Sequence, residues 1–190
     1  MYKAHFYQII DSNSADLPGS RLYCTEEAAE EIRRRISPLP LEAVHILGSG
    51  DWHHISLFWL ERIKQPFTLV LFDNHPDDQE SAFCKDMLSC GSWVLWAKKL
   101  PACRKVLWNP VDITEGGDVY LSVDLDVLSP AYARTNWDQG NMTLEQLTGT
   151  IRMIKDRCRI IGIDICGGLD GDPDACKTAQ DAIADIFSCE

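Results

Sequence analysis

The chain has 190 residues, 45% of them hydrophobic and 25% charged, with a formal net charge of −11 at pH 7; that length suits a single domain over 1–190 with a sizeable core. The acidic balance speaks against a nucleic-acid partner, whose phosphates attract Lys and Arg. No run of about 18 apolar residues marks a membrane span, and Met1-Tyr2-Lys3-Ala4-His5 lacks the basic-then-apolar pattern of a signal peptide, so a cytoplasmic setting is expected.

Residues 4–10 read as a first strand, followed by a loop over 11–20 rich in Asp, Ser, Pro and Gly. Thr25-Glu26-Glu27 opens a helix with a Thr cap and an acidic first turn, which should run to about Ile36 and stop at Ser37-Pro38. Residues 43–47 form a second strand ending in Gly48-Ser49-Gly50, 53–64 an apolar helix, and 67–73 a third strand. A helix over 92–99, a strand over 105–108 and a strand over 118–126 come next. Thr143-Leu144-Glu145 opens a helix to about Asp156, then 159–166 is the last strand and roughly 174–187 the last helix. Strands alternating with helices predict a three-layer α/β/α fold with a mostly parallel sheet. In such sheets ligands bind beyond the carboxyl ends of the strands.

Two of these strands run into metal-type ligands at every second position. One ends in Asp73-Asn74-His75-Pro76-Asp77, the other in Asp124-Leu125-Asp126. Extended chain places residues i, i+2 and i+4 on one face, so each set should converge. Four carboxylates at buried strand ends repel one another and lose hydration, and need cations to stay ionised. Four negative charges balance two divalent metals. A third segment, Gly50-Asp51-Trp52-His53-His54, follows a glycine-rich strand end and supplies an imidazole. The bland readings are a polar loop after a strand for Asp73–Asp77 and a solvated pair at a helix start for His53-His54.

The eight cysteines are scattered, at 24, 84, 90, 103, 158, 166, 176 and 189, with no C-x-x-C pair. A zinc ribbon is thereby disfavoured and free thiols are the default. Cys166, after an apolar strand, reads as buried packing. Trp52 and Trp59 read as packing too, and His5 and His45 as structural.

Taken together and in this order, Gly50-Asp51-Trp52-His53, Asp73-Asn74-His75-Pro76-Asp77 and Ser122-Val123-Asp124-Leu125-Asp126-Val127-Leu128-Ser129-Pro130 resemble the arginase–agmatinase (ureohydrolase) family over roughly residues 43–167. The first motif fits with a one-residue insertion, and His53 is the better match than His54. The resemblance implies two Mn²⁺ ions, one bound by His53, Asp73, Asp77 and Asp124 and the other by Asp73, His75, Asp124 and Asp126. Mn²⁺ accepts such mixed carboxylate and imidazole donors. It implies a small-molecule substrate whose C–N bond is cleaved by a water acidified between the metals. Homo-oligomerisation is common in the family, though nothing in the chain itself decides it.

The chain also departs from the family pattern. Where guanidinium-hydrolysing members place a Glu shortly after the last core strand, Asp164-Ile165-Cys166-Gly167 offers Gly167. Cys90 sits about where a proton-shuttling His is expected, and Thr135-Asn136-Trp137-Asp138-Gln139-Gly140 replaces a Gly- and Pro-rich substrate loop. Besides the ligands, Asp126, Cys90 and Asp164 are the catalytic candidates. Cys90 would contact substrate, carry a proton or simply pack. Asp164 would orient a metal-binding His or bond to backbone at a strand end. Two alternatives stay open. One is a single Zn²⁺ held by Asp73, His75 and Asp124, as in the deacetylase branch of the fold; the other is a family member that binds a metal or ligand without turnover.

Overall fold

A computed structural model describes residues 8–188 apart from 82, 83, 85 and 115. In chain order the elements are β1 (Gln8–Asp11), β2 (Tyr23–Cys24), α1 (Glu26–Ile36), β3 (Ala43–Gly48), α2 (Ile55–Leu60), β4 (Phe67–Phe72), β5 (Leu88–Ser89), α3 (Trp93–Ala97), β6 (Cys103–Trp108), β7 (Asp118–Asp124), α4 (Leu144–Arg157), β8 (Arg159–Cys166) and α5 (Lys177–Ala184). Residues 4–7 of the expected first strand lie outside the described residues; the strand is seen from Gln8.

Six strands make one sheet in the order β1-β3-β8-β7-β4-β6, and every pairing in it is parallel. The pleat sends alternate side chains to opposite faces. Val119, Leu121 and Val123 of β7 pack with Ile163 and Ile165 of β8 against α4 and α5, while Leu69 and Leu71 of β4, Tyr120 and Ile161 pack against α1, α2 and α3. The result is the expected three-layer α/β/α arrangement. The helices start where their caps dictate. Thr25 accepts a hydrogen bond from the Ala28 amide, and Thr143 and Gln146 form a reciprocal capping box at the start of α4.

Several boundaries differ from the sequence reading: β4 ends at Phe72 rather than 73, β7 at Asp124 rather than 126, β6 begins at Cys103 rather than 105, and α3 spans Trp93–Ala97 rather than 92–99. The apolar stretch 53–64 is helical only over α2, flanked by turns, because its first residues complete the 3₁₀ turn Gly50–Trp52. The last helix is divided into a 3₁₀ turn, Pro173–Cys176, and α5. The two-residue strands β2 and β5 pair antiparallel with each other and leave no pattern in the sequence, being too short for a period of two to register. No helix among the described residues is long and apolar enough to cross a membrane, and the seven cysteines among them carry no disulfide.

His45 on β3 is fully buried and stacks on Trp59 with ring centroids 3.6 Å apart. Its Nε2–H donates to the Pro40 carbonyl at 3.0 Å. Burial pushes its pKa down to about 4. A folded-state pKa below the unfolded one gives stability that is complete above about pH 6.5 and is lost as pH falls toward 4. The expected effect is that the stability of the wild type over His45→Gln shrinks by about 3 kcal/mol between pH 7 and pH 4, measured by urea denaturation at each pH.

Candidate metal centre

The four central strands of the sheet, in the spatial order β3, β8, β7, β4, all end at the same rim. Beyond β3 comes His53, at the end of β7 comes Asp124, and beyond β4 come Asp73, His75 and Asp77. These side chains line the floor of a cavity of about 380 Å³.

Convergence does not come from extended chain, as the alternating pattern suggested. Strand β4 stops at Phe72, and Asp73, His75 and Asp77 lie in the loop beyond it. That loop is pinned. The Asp73 carbonyl accepts from Asn109 Nδ2 and Trp108 Nε1, and its amide donates to Asn109 Oδ1. Asp77 has φ +48, a left-handed conformation Asp tolerates better than most residues, and its carboxylate accepts from Trp93 Nε1 at 2.8 Å. Asp126 sits in a 3₁₀ turn, Leu125–Val127, that Asp124 caps by accepting from the Asp126 amide.

The donors form overlapping groups: His53 with Asp73 and Asp77, Asp73 with His75 and Asp126, and His53 with Asp124 and Cys166. His53 Nδ1 lies 2.9 Å from Asp77 Oδ2, 3.2 Å from Asp73 Oδ2 and 3.6 Å from Asp124 Oδ2. His75 Nδ1 lies 2.8 Å from Asp126 Oδ2. The neighbouring His54 is buried away from this cluster and lines no part of the cavity.

The back of His53 fixes its tautomer. Its Nε2 is 2.9 Å from Ser122 Oγ, and Ser122 Oγ donates to Asp164 Oδ1 at 2.6 Å. A hydroxyl has one hydrogen, so Nε2 is the donor to Ser122. Burial opposes a second proton on the ring, yet Cys166, Asp73 and Asp77 hold its pKa well above the usual imidazole range, so Nδ1 faces the three carboxylates either with a proton or, where a cation sits among them, with a lone pair. Asp164 thus reaches His53 through Ser122, is fully buried and lines no part of the cavity.

Electrostatics point the same way. Burial, with Asp124 and Asp73 close by, pushes Asp126 up to about 9. Burial likewise raises Asp77 to about 6, and raises Asp124, with Asp73 next to it. The carboxylates of Asp73 and Asp126 lift His75 to about 9. Protons are thereby drawn in where positive charge is missing. Asp73 Oδ2 is buried with no hydrogen-bond partner, and a buried carboxylate oxygen left unpaired is costly. This donor set fits divalent cations.

Cys90 lies on the cavity wall, and burial, with Asp77 nearby, pushes its thiol up to about 12; that is the opposite of an activated nucleophile. The departure at Gly167 is structural. It has φ +95, and a Cβ there would stand 2.3 Å from Asp124 Oδ1 and 2.7 Å from the Leu125 amide nitrogen. No side chain, glutamate included, fits at this backbone.

Two features escaped the sequence reading. Asp51, in the first motif, faces away from the cluster and ties two loops together, accepting from Arg21 Nε at 2.8 Å and Trp137 Nε1 at 2.9 Å. Trp137 is thereby held against the cavity, edge-on to His75. Cys166, read as packing, is in contact with the donor cluster; its parity with Asp164 on β8 was the available signal.

The sheet and its flanking helices have an arginase–ureohydrolase-like fold. Proclavaminate amidino hydrolase from Streptomyces clavuligerus superposes with a TM-score of 0.62 at 15% identity, over 86% of this chain and 70% of that one. Arginase from Bacillus caldovelox gives 0.61 at 14%, over 90% and 79%. A putative agmatinase from Clostridium difficile gives 0.63 at 15%, over 97% and 96%. No family model matches the chain. An uncharacterised protein of Thermotoga maritima is 36% identical over 174 residues, covering 81% of this chain and 69% of its own length, and the chain belongs to the same family as that protein.

Gly167→Ala tests how tightly the rim is packed. The substitution is expected to cost about 1–3 kcal/mol or more, from the left-handed backbone and the clash with Asp124, and to weaken divalent-cation binding. Denaturation and metal titration of the variant read both effects. Wild-type values for both would contradict the packing described.

Proposed function

We propose that the protein is a metal-dependent hydrolase that cleaves a C–N bond of a small guanidino, amidino or amide substrate. The reading is carried by His53 Nδ1, which faces the carboxylates of Asp73, Asp77 and Asp124 at 2.9–3.6 Å, a geometry that a cation satisfies. It is supported by the names of the fold's solved members, among them an amidino hydrolase, an agmatine ureohydrolase and a formimidoylglutamase.

In this reading His53, Asp73, Asp77 and Asp124 hold one ion, and Asp73, His75, Asp124 and Asp126 hold a second, with Mn²⁺ as the ion the family resemblance implies. Such ions, when bound, supply an acidified water and a Lewis-acid pull on the scissile group. The remaining roles fall to the chain. Ser122 and Asp164 keep the His53 ring oriented, Nε2–H toward Ser122. Asn109 and Trp108 hold the Asp73 backbone in place. Trp137 shields one side of the cavity from water. Cys90 and Ser89 on the wall, with Gln79 and Glu80 nearer the mouth, meet the substrate. Gly167 leaves no space for an acidic anchor beside Asp124.

A panel of guanidino, amidino, formimino and amide compounds, assayed for ammonia or urea release with added Mn²⁺, tests the proposal. Metal-dependent turnover of at least one compound is expected. Asp124→Asn should abolish it, a loss beyond the 10–100-fold that changes in outer-shell partners of a metal bring about. Turnover that survives in Asp124→Asn, or none with any compound, would overturn the proposal.

A further inference from the structure

We propose that Cys166 is a further metal ligand, its Sγ joining His53 and Asp124 around one cation and giving that position a soft thiolate donor. The inference rests on the metal centre proposed above and names a donor outside the ligand set that the family resemblance implies.

The sheet itself puts the thiol there. Strand β8 lies between β3 and β7, and Cys166 is in register with Asp124 on one side and Gly48 on the other. Asp124 and Cys166 therefore project to the same face, while Gly48 offers no side chain to separate the thiol from the segment that carries His53. Cys166 is fully buried, and its Sγ lies 3.0 Å from Asp124 Oδ2. One donor atom each from His53, Asp124 and Cys166 lie within 4.8 Å of one another. An independent observation points to a cation beside the same imidazole. Asp73 Oδ2, 3.2 Å from His53 Nδ1, is buried without a hydrogen-bond partner.

Coordination breaks the S–H bond. The electron pair stays on sulfur and forms the bond to the metal, and the proton leaves to solvent. A thiolate favours zinc, iron or cobalt over manganese, which carboxylate and water suit better. The site would then differ in metal preference from one built of carboxylates and imidazoles alone. If Cys166 is instead only a hydrogen-bond donor to Asp124, it leaves no trace on a bound metal.

Cobalt(II) alone, added to the chelator-stripped full chain, is the probe. The expected spectrum has visible d–d bands together with a near-ultraviolet thiolate-to-cobalt charge-transfer band. That band should vanish in Cys166→Ser and persist in Cys90→Ala. The preference for Zn²⁺ over Mn²⁺ should fall by about tenfold or more in Cys166→Ser. Cys166→Ala gives the same readout should the serine variant fail to fold. Wild-type d–d bands without the charge-transfer band would overturn the assignment of Cys166 and leave the cation centre standing. A charge-transfer band that survives the Cys166 variants would overturn it too. Failure of the wild type to bind cobalt at all would overturn both readings.

Discussion

Asp73, Asp77, Asp124 and Asp126 are all buried at one rim of the sheet, with two imidazoles as their nearest cationic partners. Four carboxylates removed from water cannot all remain charged without compensation. The surrounding architecture answers to that constraint. The carboxyls that burial drives toward protonation, the charged state favoured at His75, and the unpaired oxygen of Asp73 are local expressions of the same deficit of positive charge. Divalent cations bound at the rim would remove it in one step.

The parallel sheet makes the concentration of charge achievable. Each of the four central strands contributes its carboxyl end to the same rim, and large apolar side chains on both faces hold those strands rigid. The rim is fastened at each point by a dedicated contact: Asn109 and Trp108 on Asp73, Trp93 on Asp77, Ser122 and Asp164 behind His53. Fixed donors on a rigid scaffold are what a metal site requires. The glycine at 167 belongs to this packing, since the backbone there passes too close to Asp124 for any side chain. The cavity is accordingly lined by the segments around Ser89, Cys90 and Trp137 rather than by the end of β8.

Much of this was legible beforehand, and the reasons differ by residue. The apolar runs before Asp73 and Asp124 announced buried strands, and the alternating Asp and His residues announced convergence, which the structure reproduces by other means. Asp77 and Asp126 reach the cluster through a left-handed residue and a 3₁₀ turn, local geometries that a period of two does not encode. The choice of His53 over His54 depended on a one-residue offset in a turn, which only coordinates resolve. Asp51 and Trp137 lie 86 residues apart, and their hydrogen bond is a tertiary event with no local signature. Cys166 looked like packing because its surroundings in sequence are apolar. Its neighbour across the sheet, Asp124, is not, and strand order is what the one-dimensional pattern lacked.

The central claim is that cations hold the rim together. Elemental analysis of the chain, purified without chelator and again after loading with Mn²⁺ or Zn²⁺, tests it most directly. About two divalent ions per chain are expected, with thermal stability falling when chelator removes them. A chain that carries no metal under either condition, and is as stable with chelator as without, would contradict it.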